Sequence, residues 1–101
     1  MSDDDRIDPQ TDILLVLLRE ERQTAWEIVE ATGWGVKAVN RQLMLFLRPW
    51  EGTEKLVHVD KSAKPAPRWS LTKKGVAVAL QRDANLSVRA ANIMRRRMKA
   101  R

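Results

Sequence analysis

The organisation of this chain follows from one stretch, residues 24–49, TAWEIVEATGWGVKAVNRQLMLFLRP. Thr24 and Glu27 have the T-x-x-E spacing of a capping box, in which each side chain accepts a hydrogen bond from the other's backbone amide at a helix start. A helix is therefore predicted over about Ala25–Thr32. Gly33 falls where a left-handed terminating residue is wanted, and Gly35 is read as letting the chain turn sharply into the next helix. That helix is predicted over about Val36–Arg48, stopped by Pro49. At about 100° per residue, Val36, Val39, Leu43, Phe46 and Leu47 gather on one side. Lys37, Arg41, Met44 and Arg48 line the other side, with Asn40 at its flank. Half of this helix is core and half is free to touch a partner.

Upstream, Asp8 followed by Pro9 reads as an N-cap and first helical residue, because proline lacks only a donor that would be unpaired there. The first helix is predicted over Pro9–Arg22. Leu14, Leu17 and Leu18 share one face, and Ile13, Leu15 and Val16 widen the stripe beyond one packing partner, which implies burial on two sides, with a second subunit one candidate for the other side. Downstream, Leu56–Val59 is β-prone, with Leu56 and His58 on one face and Val57 and Val59 on the other. A loop, Lys61–Pro67, is stiffened by Pro65 and Pro67, and the return strand is Arg68–Leu71. Thr72 caps a fourth helix carrying Val76, Ala77, Leu80 and Ala84 on one face, and a last basic helix begins near Ser87. The fold class is mainly α with a small β-hairpin. Its parts are an acidic flexible N-terminus (1–8), a body (9–84) and a basic C-terminal helix or tail (85–101).

At 101 residues the chain is long enough for one modest core and too short for a second. It is 44% hydrophobic and 32% charged, the profile of a folded protein. The net charge is +6, unevenly spread. Residues 1–12 hold five acids against Arg6, whereas residues 61–101 hold twelve Lys or Arg against Asp83 alone. A basic half of this kind is the sequence footprint of a polyanion-binding surface. With no cysteine, disulfides and thiolate metal sites are excluded. The longest apolar run, Ile13–Leu18, is far short of a membrane span, and its acidic flanks make a poor secretory signal, so a cytoplasmic or nuclear location is expected and no membrane partner.

Sites for catalysis, metals and cofactors are expected to be absent. His58 is the only histidine, too little for a zinc site or a Ser-His-Asp or Cys-His centre, and its strand position reads as half-buried and structural. The Asp3–Asp5 cluster lies in a tail read as too flexible to fix metal ligands. Gly33-Trp34-Gly35 lacks the length and lysine of a phosphate-binding loop.

Two helices joined by a glycine-containing turn form a helix-turn-helix, whose second helix carries recognition. With the hairpin and its closing W-S-L-T-K-K-G (residues 69–75), Pro9–Gln81 resembles the winged helix-turn-helix superfamily of bacterial, archaeal and phage transcription regulators. That resemblance implies a double-stranded DNA partner, a third helix in the major groove and a wing on flanking phosphates, with contacts from Lys37, Asn40, Arg41, Lys61, Lys64 and Arg68. A narrower similarity, in KAVNRQLM (37–44) and PAPRW (65–69), is to Zα domains that bind left-handed duplexes. It assigns roles to Lys37, Asn40, Arg41, Pro67 and Trp69. The sequence departs from that family at Met44, where a tyrosine is usual, at Ala66, and in a longer wing. A third reading is a protein-interaction module of a larger assembly, favoured by the wide apolar first helix and opposed by the cations after residue 60.

The residue chemistry is suited to contact, and the placement of the helix decides for it. Lys37, Arg41 and Arg48 can neutralise phosphates or reach guanine edges, and Asn40 can bond an adenine edge or a phosphate. An isolated helix with these residues would be a solvated face; a helix between a turn and a wing is placed to touch a ligand. Trp26 and Trp69 read as core or core edge, and Trp34, in the turn, as the exposed aromatic contact. The run Arg95–Arg101 reads equally as a phosphate-grasping tail, a dimer arm or a solvated end. The residues leave the oligomeric state open; regulators of this shape commonly pair through terminal helices, which here makes the first and last helices the candidate surface for a homodimer.

Overall fold

A computed structural model describes the backbone of residues 8–99 and the side chains of residues 8–86. The Asp3–Asp5 cluster and the side chains of the C-terminal basic run lie outside the described residues.

Helix α1, Pro9–Arg19, starts as expected: Asp8 Oδ1 accepts from the Thr11 amide at 2.7 Å, and Pro9 occupies the first turn. It ends three residues before the predicted Arg22. The Gln23 Nε2 group donates to the Glu20 carbonyl (2.9 Å) and to the Val16 carbonyl (3.0 Å), the latter also accepting from the Glu20 amide (3.0 Å), which braces the helix end. Arg22, at φ 59°, then turns the chain into a two-residue strand, β1 (Gln23–Thr24), that the sequence reading lacked.

Helix α2, Ala25–Thr32, carries the complete capping box: the Glu27 amide donates to Thr24 Oγ1 (3.1 Å) and the Thr24 amide donates to Glu27 Oε1 (3.0 Å). Gly33 ends it at φ 76°, a conformation only glycine adopts without strain. Helix α3 is Val36–Phe46. Its N-cap, Gly35, sits at φ −66° with open space around it, so the sharp turn expected of that glycine is not what the site requires. The helix stops before the predicted Arg48, because a residue preceding proline is pushed out of the α region. The Leu47 and Arg48 amides reach only to carbonyls three residues back, on Met44 (3.3 Å) and Leu45 (3.1 Å).

Strands β2 (Val57–Asp60) and β3 (Arg68–Leu71) form the hairpin, paired antiparallel from Val57–Leu71 to Asp60–Arg68. Strand β1 pairs with the other edge of β3, Gln23 with Trp69 and Thr24 with Arg68, giving the order β1-β3-β2. The chain then continues as one helix, α4, over Lys73–Lys99. The separate helix expected from Ser87 is a continuation of the fourth, because residues 76–99 contain no proline or glycine to interrupt it.

The core comprises Ile13, Leu14 and Leu17 of α1, Ile28, Val39, Leu43, Phe46, Leu56, Val57 and Ala79. Helix α1 packs against α2, α3, α4 and β3, so its broad stripe, Ile13–Leu17, is buried by this chain alone. A second subunit is not needed to cover it, and the observation that favoured an interaction module is accounted for within the fold.

Helix α4 turns the other way round from the expected stripe. Val76 and Leu80 are 38% and 54% exposed, and Ala77 and Ala84 are exposed, while Gly75, Ala79, Arg82 and Leu86 face inward. The cause is the W-S-L-T-K-K-G segment. The Thr72 amide donates to the Leu56 carbonyl (3.0 Å), and Thr72 Oγ1 donates to the Lys55 carbonyl (2.7 Å) and accepts from the Gly75 amide (3.0 Å). These bonds press the backbone of Gly75 onto Leu56, where a Cβ would overlap the Leu56 carbonyl oxygen. The contact fixes the rotation of the helix, and the apolar count does not.

Candidate nucleic-acid interface

The buried side of α3 is Val39, Leu43 and Phe46, with Leu47 partly buried just beyond it; Val36, expected inside, is 46% exposed at the first turn. Burying one stripe of an 11-residue helix leaves the opposite stripe outward. Lys37, Asn40, Arg41 and Met44 are exposed on it, Met44 by 60%, and Arg48 is exposed just past the helix end. Among the described residues, none of these five side chains has a hydrogen-bond or ion-pair partner. The face is rigid beneath and unengaged above.

The wing adds Lys61, Lys64 and Pro67, all exposed, on a loop held by Asp60, whose Oδ1 accepts from the Ser62 amide (3.0 Å) and hydroxyl (2.6 Å). Arg68 is not one of the free cations. Its Nη1 donates to the Arg22 carbonyl (2.8 Å) and to Glu27 Oε1 (3.1 Å), tying β3 to the start of α2. Arg22 in turn pairs with Asp60 at 3.0 Å.

Both acids at the wing base are therefore committed. The Thr24 amide and hydroxyl, then Arg68, hold the Glu27 carboxyl below its ordinary range. The Ser62 hydroxyl and amide, then Arg22, do the same for Asp60. The unpaired charges left on α3 and the wing are cations.

The tryptophans depart from the sequence reading. Trp34 is partly buried against the core, its Nε1 donating to Asp12 Oδ2 at 2.7 Å, so it is a strut of the turn and not the exposed contact expected there. Trp26 is 62% exposed, contrary to its assignment to the core or core edge. The signal was present: Ala25, Ile28, Val29 and Thr32 form the inward stripe of α2, and Trp26 lies off it. Trp69 is partly buried against the core, as expected. His58 is exposed on β2, not half-buried, because Val57 takes the inward position at the strand start.

A rigid helix presenting two or three cations, an amide and a thioether, beside a loop with two more cations, can neutralise phosphates and bond base edges together. Among the described residues no group of three or more His, Asp or Glu is placed to hold a metal ion, and no helix is long and apolar enough to cross a membrane.

Helix α2, the glycine turn and α3, with the hairpin behind them and α4 closing the core, constitute a winged helix-turn-helix. Solved structures share it. A mutant of ZitR from Lactococcus lactis, in apo form, matches with a TM-score of 0.73 at 24% identity, over 90% of this chain and 66% of that one. MepR, a transcription regulator of the Staphylococcus aureus multidrug efflux pump MepA, matches with a TM-score of 0.72 at 18% identity, over 95% of this chain and 74% of that one. Wild-type ZitR in complex with DNA matches with a TM-score of 0.67 at 22% identity, over 93% of this chain and 62% of that one. This chain thus spans about two thirds of the length of the ZitR chains. At such identities the likeness is one of fold. No protein-family model and no curated protein matches the sequence.

Proposed function

We propose that this protein binds double-stranded DNA without catalysing a reaction, as an intracellular transcriptional regulator or architectural factor. Helix α3 enters the major groove, where Arg41 and Asn40 meet base edges and Lys37 and Arg48 meet phosphates; Lys61 and Lys64 of the wing, with Pro67 stiffening the loop, follow the flanking backbone. The observation that carries this reading is the outer face of α3: exposed, cationic and unpartnered among the described residues, on a helix whose other face is fixed in the core. The DNA complex of ZitR supports it by fold alone. Selecting duplexes from a random pool with the purified chain tests it. Enrichment of a common motif is expected, and a pool that stays random, with no duplex retained at moderate salt, would overturn it.

The proposal includes a homodimer. Helix α1 is consumed by its own core, so the surface that supports pairing is the exposed Val76 and Leu80 face of α4. Sedimentation should show a concentration-dependent dimer that Leu80→Glu dissociates; a monomer at all concentrations would remove this part.

A further inference from the structure

The start of α3 is anchored from an unexpected direction. Asp12 is 2% exposed, yet its Oδ2 accepts a hydrogen bond from the Trp34 indole N–H at 2.7 Å, across 22 residues of chain. Trp34 immediately precedes Gly35, the N-cap of α3, whose carbonyl accepts from the Val39 amide at 3.0 Å. The same turn is gripped from α2 by Thr32 Oγ1, which accepts from the Trp34 amide at 3.2 Å. On its other side the first turn of α1 is itself held: Arg82 of α4 donates to Thr11 Oγ1 (2.8 Å) and Gln10 Oε1 (2.7 Å).

Burying a carboxylate costs free energy unless a directed hydrogen bond offsets it, and an apolar side chain would fill the same space more cheaply. What the carboxylate adds is direction, since a charge-assisted N–H bond is short and angularly selective. We propose that Asp12 is a positioning residue for the α3 interface. By holding the Trp34 indole it fixes the start of α3 relative to α1 and, through Gln10 and Thr11, relative to α4. The inference rests on the DNA-binding reading for its functional half, and on the hydrogen bonds alone for its structural half.

The test uses the full chain with Asp12→Ala, Asp12→Asn, Trp34→Phe and the Asp12→Ala/Trp34→Phe pair. Affinity is measured for the selected duplex and for an unrelated one of equal length, and amide exchange is followed in the absence of DNA. Asp12→Ala and Trp34→Phe should each lose roughly tenfold of the preference for the selected duplex, the loss expected for a hydrogen bond to a charged group. Binding to the unrelated duplex should stay nearly unchanged. Asp12→Asn, which keeps a carbonyl acceptor, should recover much of the preference, and the double variant should be no worse than either single. Without DNA, the α3 amides should exchange faster in Trp34→Phe while those of α1 do not. Wild-type preference and wild-type α3 exchange in Trp34→Phe would overturn the proposal, as would additive losses in the double variant. If Asp12→Ala does not fold, Trp34→Phe and Asp12→Asn decide. A wild-type chain that prefers no duplex refutes the DNA reading, and the exchange measurement then judges the anchoring separately.

Discussion

Gly75→Ala should destabilise this protein even though it replaces a glycine in the first turn of a helix with the best helix former. A Cβ at this position would overlap the Leu56 carbonyl oxygen, come within 3.0 Å of the Leu56 carbonyl carbon and 3.1 Å of Leu71 Cδ2. The Leu56 backbone cannot yield easily, since its amide donates to the Phe46 carbonyl (2.9 Å) and its carbonyl accepts from the Thr72 amide (3.0 Å). Alanine gains about 1 kcal/mol of helix propensity. Forcing a backbone-to-backbone contact apart costs about 3 kcal/mol, the upper end of overpacking penalties. The lost Thr72–Leu56 bond adds about 1 kcal/mol. The net loss is about 3 kcal/mol, which lowers Tm by roughly 12–24 °C for a domain of this size. Gly35→Ala is the control: ordinary φ and open space, with a small gain from a stiffer unfolded chain offsetting a weaker N-cap, for a net change within about 0.5 kcal/mol. Thermal unfolding followed by circular dichroism measures both. A Gly75→Ala chain melting at or above the wild-type temperature would refute the account of how α4 is seated.

Arg41→Glu should weaken duplex binding by roughly tenfold or more, the scale of one base or phosphate contact, whereas reversing Glu20 on the α1 side to Arg should not weaken it; anisotropy titrations compare them, and equal losses would mean that the contact face is misassigned. If Met44 meets a thymine methyl, replacing thymines in the selected site by uracil should cost about fourfold, and Met44→Ala should abolish the difference. Because Glu27 and Asp60 are held ionised in the folded state, they add stability above their ordinary carboxylate range that is lost as pH falls through their lowered values. The drop in Tm between pH 5 and 3 should accordingly shrink in Glu27→Gln, and an unchanged drop would remove that contribution. A CG-repeat duplex should keep its right-handed circular dichroism on addition of the protein; inversion would replace the major-groove reading by the Zα-like one.

What sequence reasoning read correctly is local. Asp8 with Pro9, Thr24 with Glu27, and Gly33 each act within one helical turn, and the caps formed as their spacing requires. The outward face of α3 was legible for the same reason: a wheel needs only the residues of the helix itself. Trp26 was misread although the α2 wheel places it outward. Four other misreadings lie where a distant partner decides. Strand β1 exists because Gln23 and Thr24 meet Trp69 and Arg68, far along the chain. The rotation of α4 is set by Leu56, Trp34 is drawn in by Asp12, and Arg68 is taken from the interface by Glu27. Each involves a residue whose type suits either location, so local pattern could not choose.

The most direct examination of the interface is the salt dependence of duplex affinity in the wild type and in a chain with Lys37, Lys61 and Lys64, the cations assigned to phosphates on α3 and the wing tip, all changed to alanine. Each phosphate neutralised contributes about 0.9 to the slope of log affinity against log salt, so removing three contacts should flatten the slope by about 2.7. An unaltered slope, with the variant still folded, would show that these cations do not touch the duplex, and the assignment of α3 and the wing as the binding surface would be wrong.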